Sequence, residues 1–246
     1  MRIGLMIIAV LWCLPVSSQT LQIMGSDEGF IPFYYGSNLN KGILVDVIGD
    51  FTEQTGIEAD FVPMPRNRQV WALEKGLANA VFANPLWMPL PERMHAVGPV
   101  VTWRDRVFAQ PGLQANSFED LRGGICLRRW FVYSDQLQQR LGSDLVRHDG
   151  YTAQQMLSMF LRKRCDYIVM NEAEFRFLAL QVDIDSDRYS TPLIDAEWPA
   201  YLGILKTEVA LIEAAEDFFA TYTFDIEAML PNLPPPDQTV SIQPGS

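Results

Sequence analysis

The stretch Gly76–Arg93, GLANAVFANPLWMPLPER, decides how the rest of the chain reads. Gly76 is a turn signal after a helical run. Leu77 to Ala83 is small and apolar, as in a strand buried on both faces. Asn84, Pro85, Pro89 and Pro91 then exclude regular structure. An irregular segment leaving the carboxyl end of a buried strand is where α/β proteins bind ligands. Arg93 closes the segment at the expected start of a helix. There its planar fork can meet a carboxylate or phosphate; a surface cap or a pair with Glu92 is the structural alternative.

The pattern around this stretch repeats strand and helix. Leu21 to Gly25 reads as a strand. Gly42 to Thr55 is amphipathic, with Leu44, Val47, Ile48 and Phe51 on one face and Gly56 as its C-cap. Ile57 to Val62 is a second strand and Gln69 to Lys75 a short helix. After an extended run, Arg106 to Gln110, the alternation starts again. Ser117 begins a short helix, GICL at Gly124 to Leu127 is a strand, and Asp135 to Leu141 is a helix. Leu145 to His148, Thr152 to Arg164, CDYIVM at Cys165 to Met170, and Glu172 to Val182 continue it. Tyr201 to Leu205 is expected to return as a strand to the first unit, with Val209 to Tyr222 packed on it. This order predicts an α/β protein of two lobes, each a mainly parallel sheet flanked by helices, joined by two hinge crossings near 106–110 and 196–206. The expected division is 19–108 with 196–230 for lobe one, 109–195 for lobe two, and a loose Pro-rich tail over 231–246. The cleft between the lobes is the natural site.

Composition narrows the function. The 246 residues are 48% hydrophobic and carry a formal net charge of −11, which argues against nucleic acid or an anionic membrane as partner. Arg2, the apolar run Ile3 to Leu14 and Val16-Ser17-Ser18 read as a signal peptide cleaved near Ser18, with Cys13 inside it. The mature protein is therefore expected to be soluble and exported. Export leaves Cys126 and Cys165 in an oxidising compartment, each at an expected strand, and predicts a disulfide; two buried free thiols are the alternative. The two histidines, His95 and His148, lack a nucleophile or acid at useful spacing, so a Ser/His/Asp or Cys/His system is not expected. No zinc-ligand cluster or Gly-rich phosphate loop is present, and no cofactor is expected.

The order of MGSDEGFIPF, GILVDVIGDFTEQTG, LEKGLANAVF, LPER, SFEDLRGGICLRRWFVYSD and LRKRCDYIVMNE resembles the type II periplasmic solute-binding proteins. The likeness is to the polar amino acid-binding group of ABC importers (extracellular solute-binding family 3). It covers about 20–225. It implies a monomer that captures a small carboxylate-bearing solute and delivers it to an inner-membrane ABC permease. By position it places Asp27 and Phe30 in the loop after the first strand as polar contact and aromatic wall. It makes Arg93 the carboxylate clamp. It puts Arg129 to Tyr133 in the closing loop of lobe two, and Asn171 where amino acid binders carry an aspartate for the ammonium. Three departures stand out: Asn171 itself, Trp130 in place of a glycine, and Trp87-Met88-Pro89-Leu90 before the arginine with a small insertion. Arg66 falls where many members carry an aromatic wall. Arg66, Arg93 and Arg129 facing one cleft suit an anionic solute. The aromatic cluster Phe33, Tyr34 and Tyr35 reads either as a stacking wall or as core. The resemblance leaves two other functions open: a ligand-sensing receptor module without transport, and a cyclohexadienyl dehydratase-like enzyme with Glu172 or Asp27 as its acid.

Overall fold

The computed structural model describes residues 20–26, 29–36, 41–113, 115–129 and 131–235. The expected signal segment, Asp27, Trp130 and the distal part of the tail lie outside them. The first unit contains β1 (Leu21–Gly25), α1 (Ile43–Thr55), β2 (Ala59–Pro63), α2 (Gln69–Glu74) and β3 (Ala80–Ala83). A long strand β4 (Met94–Ala109) leads to β5 (Gly123–Arg128), α3 (Asp135–Arg140), β6 (Leu145–Gly150), α4 (Ala153–Leu161), β7 (Tyr167–Asn171) and α5 (Glu172–Gln181). A second long strand, β8 (Ser190–Leu205), returns, followed by α6 (Val209–Thr221) and the single turn α7 (Ile226–Met229).

Local chemistry explains these elements. In α1 the face formed by Leu44, Val47, Ile48 and Phe51 is buried, and Gly56 ends the helix at φ 71°, its N–H returned to Thr52 O. Gly42, at φ 128°, lies so close to the Phe33 carbonyl that a Cβ would sit 2.4 Å from that oxygen. This close approach holds the 30–36 loop against the start of α1. In the second unit Ser117 and Asp120 form a capping box, and Thr152 caps α4 through Gln155 N–H.

The strands form one eight-stranded sheet in the order β2-β1-β3-β8-β4-β7-β5-β6. The outer trios, β2-β1-β3 and β7-β5-β6, are parallel. The two central strands run antiparallel to each other from Met94↔Leu205 to Phe108↔Ser190, with register shifts between Val97 and Val101 and around Arg106. β8 is antiparallel to β3, and β4 is antiparallel to β7. Gly25, Pro63 and Ala83 thus end one parallel trio, and Arg128, Gly150 and Asn171 end the other. The residues Thr102 to Arg104 of β4 lie between these two carboxyl-terminal edges. Cys126 and Cys165 are bonded, with Cα atoms 5.7 Å apart, tying β5 to the entry of β7.

Four sequence expectations change. Arg93 ends a 3-10 turn, Pro91–Arg93, and leads into a strand rather than a helix, because Met94 to Val97 pair with β8. β3 is shorter than Leu77–Ala83: Asn79 side-chain amide atoms meet Gln22 N and Thr20 O, replacing ladder partners, and Leu77 is exposed. The crossings are longer than expected, since Gly98 and Pro99 sit in a register shift instead of ending the strand. The first residues of the tail are docked: Leu230 and Leu233 are buried, and Pro234 O accepts the Tyr35 hydroxyl at 2.7 Å.

Candidate functional site

The carboxyl-terminal edges of the two parallel trios face each other across the crossing strands, and a cavity lies there. It is a small, partly open pocket lined by Phe30 from the first unit and by Asp105, Arg128, Phe131, Asn171 and Glu174. Tyr133 and Met170 complete its wall. An α/β sheet places ligands at this kind of edge because loop backbone and side chains converge there free of the ladder.

An aromatic cluster packs behind Phe30. Trp103 and Trp198 are register partners on β4 and β8 and stack with centroids 5.1 Å apart. Phe30 lies 4.1 Å and Phe33 4.9 Å from Trp103, and Trp87 meets Trp198 edge-on at 4.9 Å. Phe33 is 1% exposed and Tyr35 is buried, so of the aromatic cluster these two serve the core.

The charged groups are arranged unevenly. Arg128 Nη1 is 3.9 Å from Glu174 Oε1, and the guanidinium lies 4.8 Å over the Phe131 ring. Glu174 is 6% exposed, and burial with the nearby Asp105 pushes its carboxyl up to about 7, against the pull of Arg128. Asp105 is pushed up to about 6, first by burial and then by Asp195, although the Trp103 and Asn171 side chains hydrogen-bond it. Asp195 is raised by burial, offset by Ser134, whose Oγ donates at 2.6 Å.

The residues singled out in sequence divide as follows. Phe30, Tyr133 and Asn171 line the cavity. Tyr133 is nevertheless committed to its own loop, its hydroxyl accepting from Arg128 N at 2.6 Å. Asn171 caps α5, Oδ1 accepting from Ala173 N and Glu174 N, while Nδ2 donates to Arg104 O at 3.3 Å. Both ends of its amide are thus engaged, and it does not replace the family's aspartate. Asn171→Ala removes these bonds and is expected to cost about 1–2 kcal/mol. A denaturant midpoint unchanged to within about 0.5 kcal/mol contradicts that role.

Arg129 packs over the Tyr151 ring at 5.1 Å and hydrogen-bonds its hydroxyl; the neighbouring Arg128 takes the cavity position. Arg93 is exposed and lies at the opposite edge of the sheet. Its carbonyl accepts from Lys206 N, and Leu205 N bonds to Asn79 O, before β3 begins. Four strand residues, about 13 Å, separate that level from Ala83. The inserted Pro-rich segment carries the chain back down the sheet before Arg93 is reached, with Leu90 in the left-handed region at φ 52° as its last turn. Arg66 begins a 3-10 turn after β2, Arg66–Arg68; its side chain and Asp27 lie outside the described residues.

A second cavity, about 230 Å³, lies beside the crossing and is lined by Phe33, Thr102, Arg104, Glu172, Arg176 and Ile226, among others. Glu172 is held there by Arg104, Arg106 and Arg176 at 3.3–3.5 Å, and Arg104 also forks onto Glu197 at 3.0 and 3.3 Å. The buried acid of the inter-lobe pocket is Glu174, not Glu172. Trp103, Asp105, Arg128 and Glu174 were missed in sequence. The signal for the first two was WRDR, whose alternation puts Trp and Asp on one face of a strand and two Arg on the other. Among the described residues no group of three or more His, Cys, Asp or Glu is placed to hold a metal ion, and no helix is long and apolar enough to cross a membrane.

No protein-family model and no curated protein matches the chain. Solved structures do. Substrate-binding domain 2 of Lactococcus lactis GlnP, in its open conformation, is 16% identical with a TM-score of 0.64, over 84% of this chain and 90% of that one. The ancestral cationic amino acid solute-binding protein AncCDT-1 is 16% identical with a TM-score of 0.63, over 87% and 90%. The VFT2 domain of Bordetella pertussis BvgS is 14% identical with a TM-score of 0.61, over 87% and 93%. The chain has the two-lobed fold of the type II periplasmic binding proteins.

Proposed function

We propose that this is an exported, periplasmic solute-binding protein that captures a small polar, carboxylate-bearing solute between its lobes for an inner-membrane ABC importer. The observation that carries the reading is the inter-lobe cavity, where Phe30 of one unit faces Arg128, Asn171 and Glu174 of the other. In this reading 109–195 is the inserted lobe, 19–108 with 196–230 the other, and the crossing strands the hinge. Arg128 takes the carboxylate in place of Arg93, and Phe30 and Trp103 form the wall. The fold shared with a transporter substrate-binding domain supports delivery to a permease. The likeness to a histidine kinase sensor domain, 18% identical with a TM-score of 0.56, supports a second reading, a sensor module that reports occupancy without transport.

The test is a thermal-shift screen of the mature protein against amino acids, dicarboxylates and sugar acids. A ligand at about 100 times its Kd is expected to stabilise by about 2.7 kcal/mol. If none of these classes moves the melting temperature, the solute-capture reading fails. Pull-down with solubilised inner membrane, with and without the solute found, separates a permease from a sensor partner.

A further inference from the structure

Resting on the solute-capture reading, we infer that the inter-lobe cavity exchanges protons for a cation. Empty, it keeps a proton on the Asp105–Glu174 carboxylate pair. Filled, it releases that proton to water and holds the solute's ammonium or guanidinium between the two carboxylates.

The geometry supplies the reason. Glu174 stands in the first turn of α5, is 6% exposed, and faces the cavity. Among the described residues no hydrogen bond reaches its carboxylate; its contact is Arg128 at 3.9 Å, beyond hydrogen-bonding distance. Asp105 lines the same cavity from β4, where it is the register partner of Asn171, one turn before Glu174. The charged and titratable groups around the pair are Arg128 from β5, Tyr133 from the following loop and Asp195 from β8. Arg128 is the guanidinium beside both members of the pair, and Asp195 adds a further negative charge beside Asp105. A buried excess of negative charge is relieved either by a proton or by a cation.

Burial raises the proton affinity of both members, with Asp105 adding to it at Glu174 and Asp195 at Asp105; Glu174 is pushed up to about 7 and Asp105 to about 6, so the empty site holds its proton near neutrality. Asn171, the position where related binders carry the ammonium's aspartate, has its amide engaged and leaves this role to the pair. The Phe30 and Phe131 rings line the cavity, and an aromatic wall favours a cation over a second anion. A solute with a carboxylate alone satisfies Arg128 but leaves the pair protonated. A zwitterion satisfies both.

A cation that binds the ionised pair competes with protons. Its apparent affinity falls as pH falls, by about tenfold per pH unit below pH 6 for each proton exchanged, and levels off above pH 7. The test uses the mature chain with matched probes: glutamine, glutamate and alanine against their desamino acids, which carry no cation, by calorimetric titration and thermal shift between pH 5 and 8. Proton release is counted from the dependence of heat on buffer ionisation. Expected are binding of an amine-bearing probe, release of about one proton per ligand near pH 6.5, and loss of the pH slope in Glu174→Gln. Glu174→Asp, which keeps the charge, retains the slope.

Binding that releases no proton, or desamino acids that bind as well as their amines, overturns the exchange and leaves solute capture standing. If no amine-bearing probe binds at any pH, exchange falls. If the wider screen is also silent, capture falls with it.

Discussion

Replacing Cys126 and Cys165 together by Ala is expected to destabilise the protein by about 4 kcal/mol, the largest effect of a change outside the site. The bridge closes a loop of 39 residues, between the 15-residue and 100-residue cases for which chain entropy gives about 3 and 4.7 kcal/mol. It also lies inside the parallel trio β7-β5-β6. Cys126 pairs in register with Ile168, and Cys165 precedes β7, so the bond locks β5 to β7 beneath Arg128 and Asn171. Both cysteines are buried, and the double variant loses a little packing as well. Urea unfolding of the oxidised wild type and the variant measures the difference. Thiol titration of the unfolded, unreduced protein is expected to find close to none. A loss below about 1 kcal/mol, or two titratable thiols per chain, rules the bridge out as a structural element.

Arg128→Ala is expected to weaken a carboxylate solute by roughly tenfold to a few hundredfold. Charge-assisted hydrogen bonds of this kind contribute roughly 1.5–3 kcal/mol. Arg128→Lys is expected to recover only part, because an ammonium lacks the paired donors of a guanidinium. Arg93→Ala is expected to leave affinity unchanged, since Arg93 sits at the far edge of the sheet. Arg129→Ala is expected to have a small effect, its guanidinium being held on Tyr151. Affinity is read by calorimetry on variants whose circular dichroism matches wild type. A loss on Arg93→Ala equal to that on Arg128→Ala returns the clamp to the position the family resemblance gave it. Removing Arg128 also takes the one neighbouring cation from Glu174, so the empty variant's stability is expected to fall more steeply as pH rises through 7. A carboxyl that binds its proton more tightly folded than unfolded contributes most at low pH and loses that contribution as pH climbs through its raised value.

Elements were legible in the sequence wherever one face of the chain repeated. The burial of Leu44, Val47, Ile48 and Phe51, the Gly56 cap, the strand that carries Cys126 and the one that starts just after Cys165 follow from spacing and turn chemistry alone. The site was legible to within a residue in places and misplaced in others, for a common cause. In a strand or at its exit, a shift of one position moves a side chain to the other face. Arg128 and Arg129 are adjacent and chemically equal, and only the pairing Arg128↔Gly150 shows which still belongs to the strand. Arg93 was misplaced because motif order carries no length information: the Pro-rich segment before it descends the height of the sheet. Glu174 was passed over because a Glu in a first helical turn reads as an ordinary partner of the helix dipole. It lines one pocket with Asp105 of β4, Met156 of α4 and Phe30 of the 30–36 loop.

The stacked indoles of Trp103 and Trp198 have one more consequence. They belong to the two strands that connect the lobes, and they touch at the level where those strands pass from one lobe to the other. Two indoles in contact and nearly parallel absorb as a coupled pair, and the sign and strength of their near-ultraviolet dichroism follow the angle between the rings. The angle is 14° here. Any twist of one lobe against the other turns one ring over the other, so the protein carries its own optical protractor and its movement can be followed without a label.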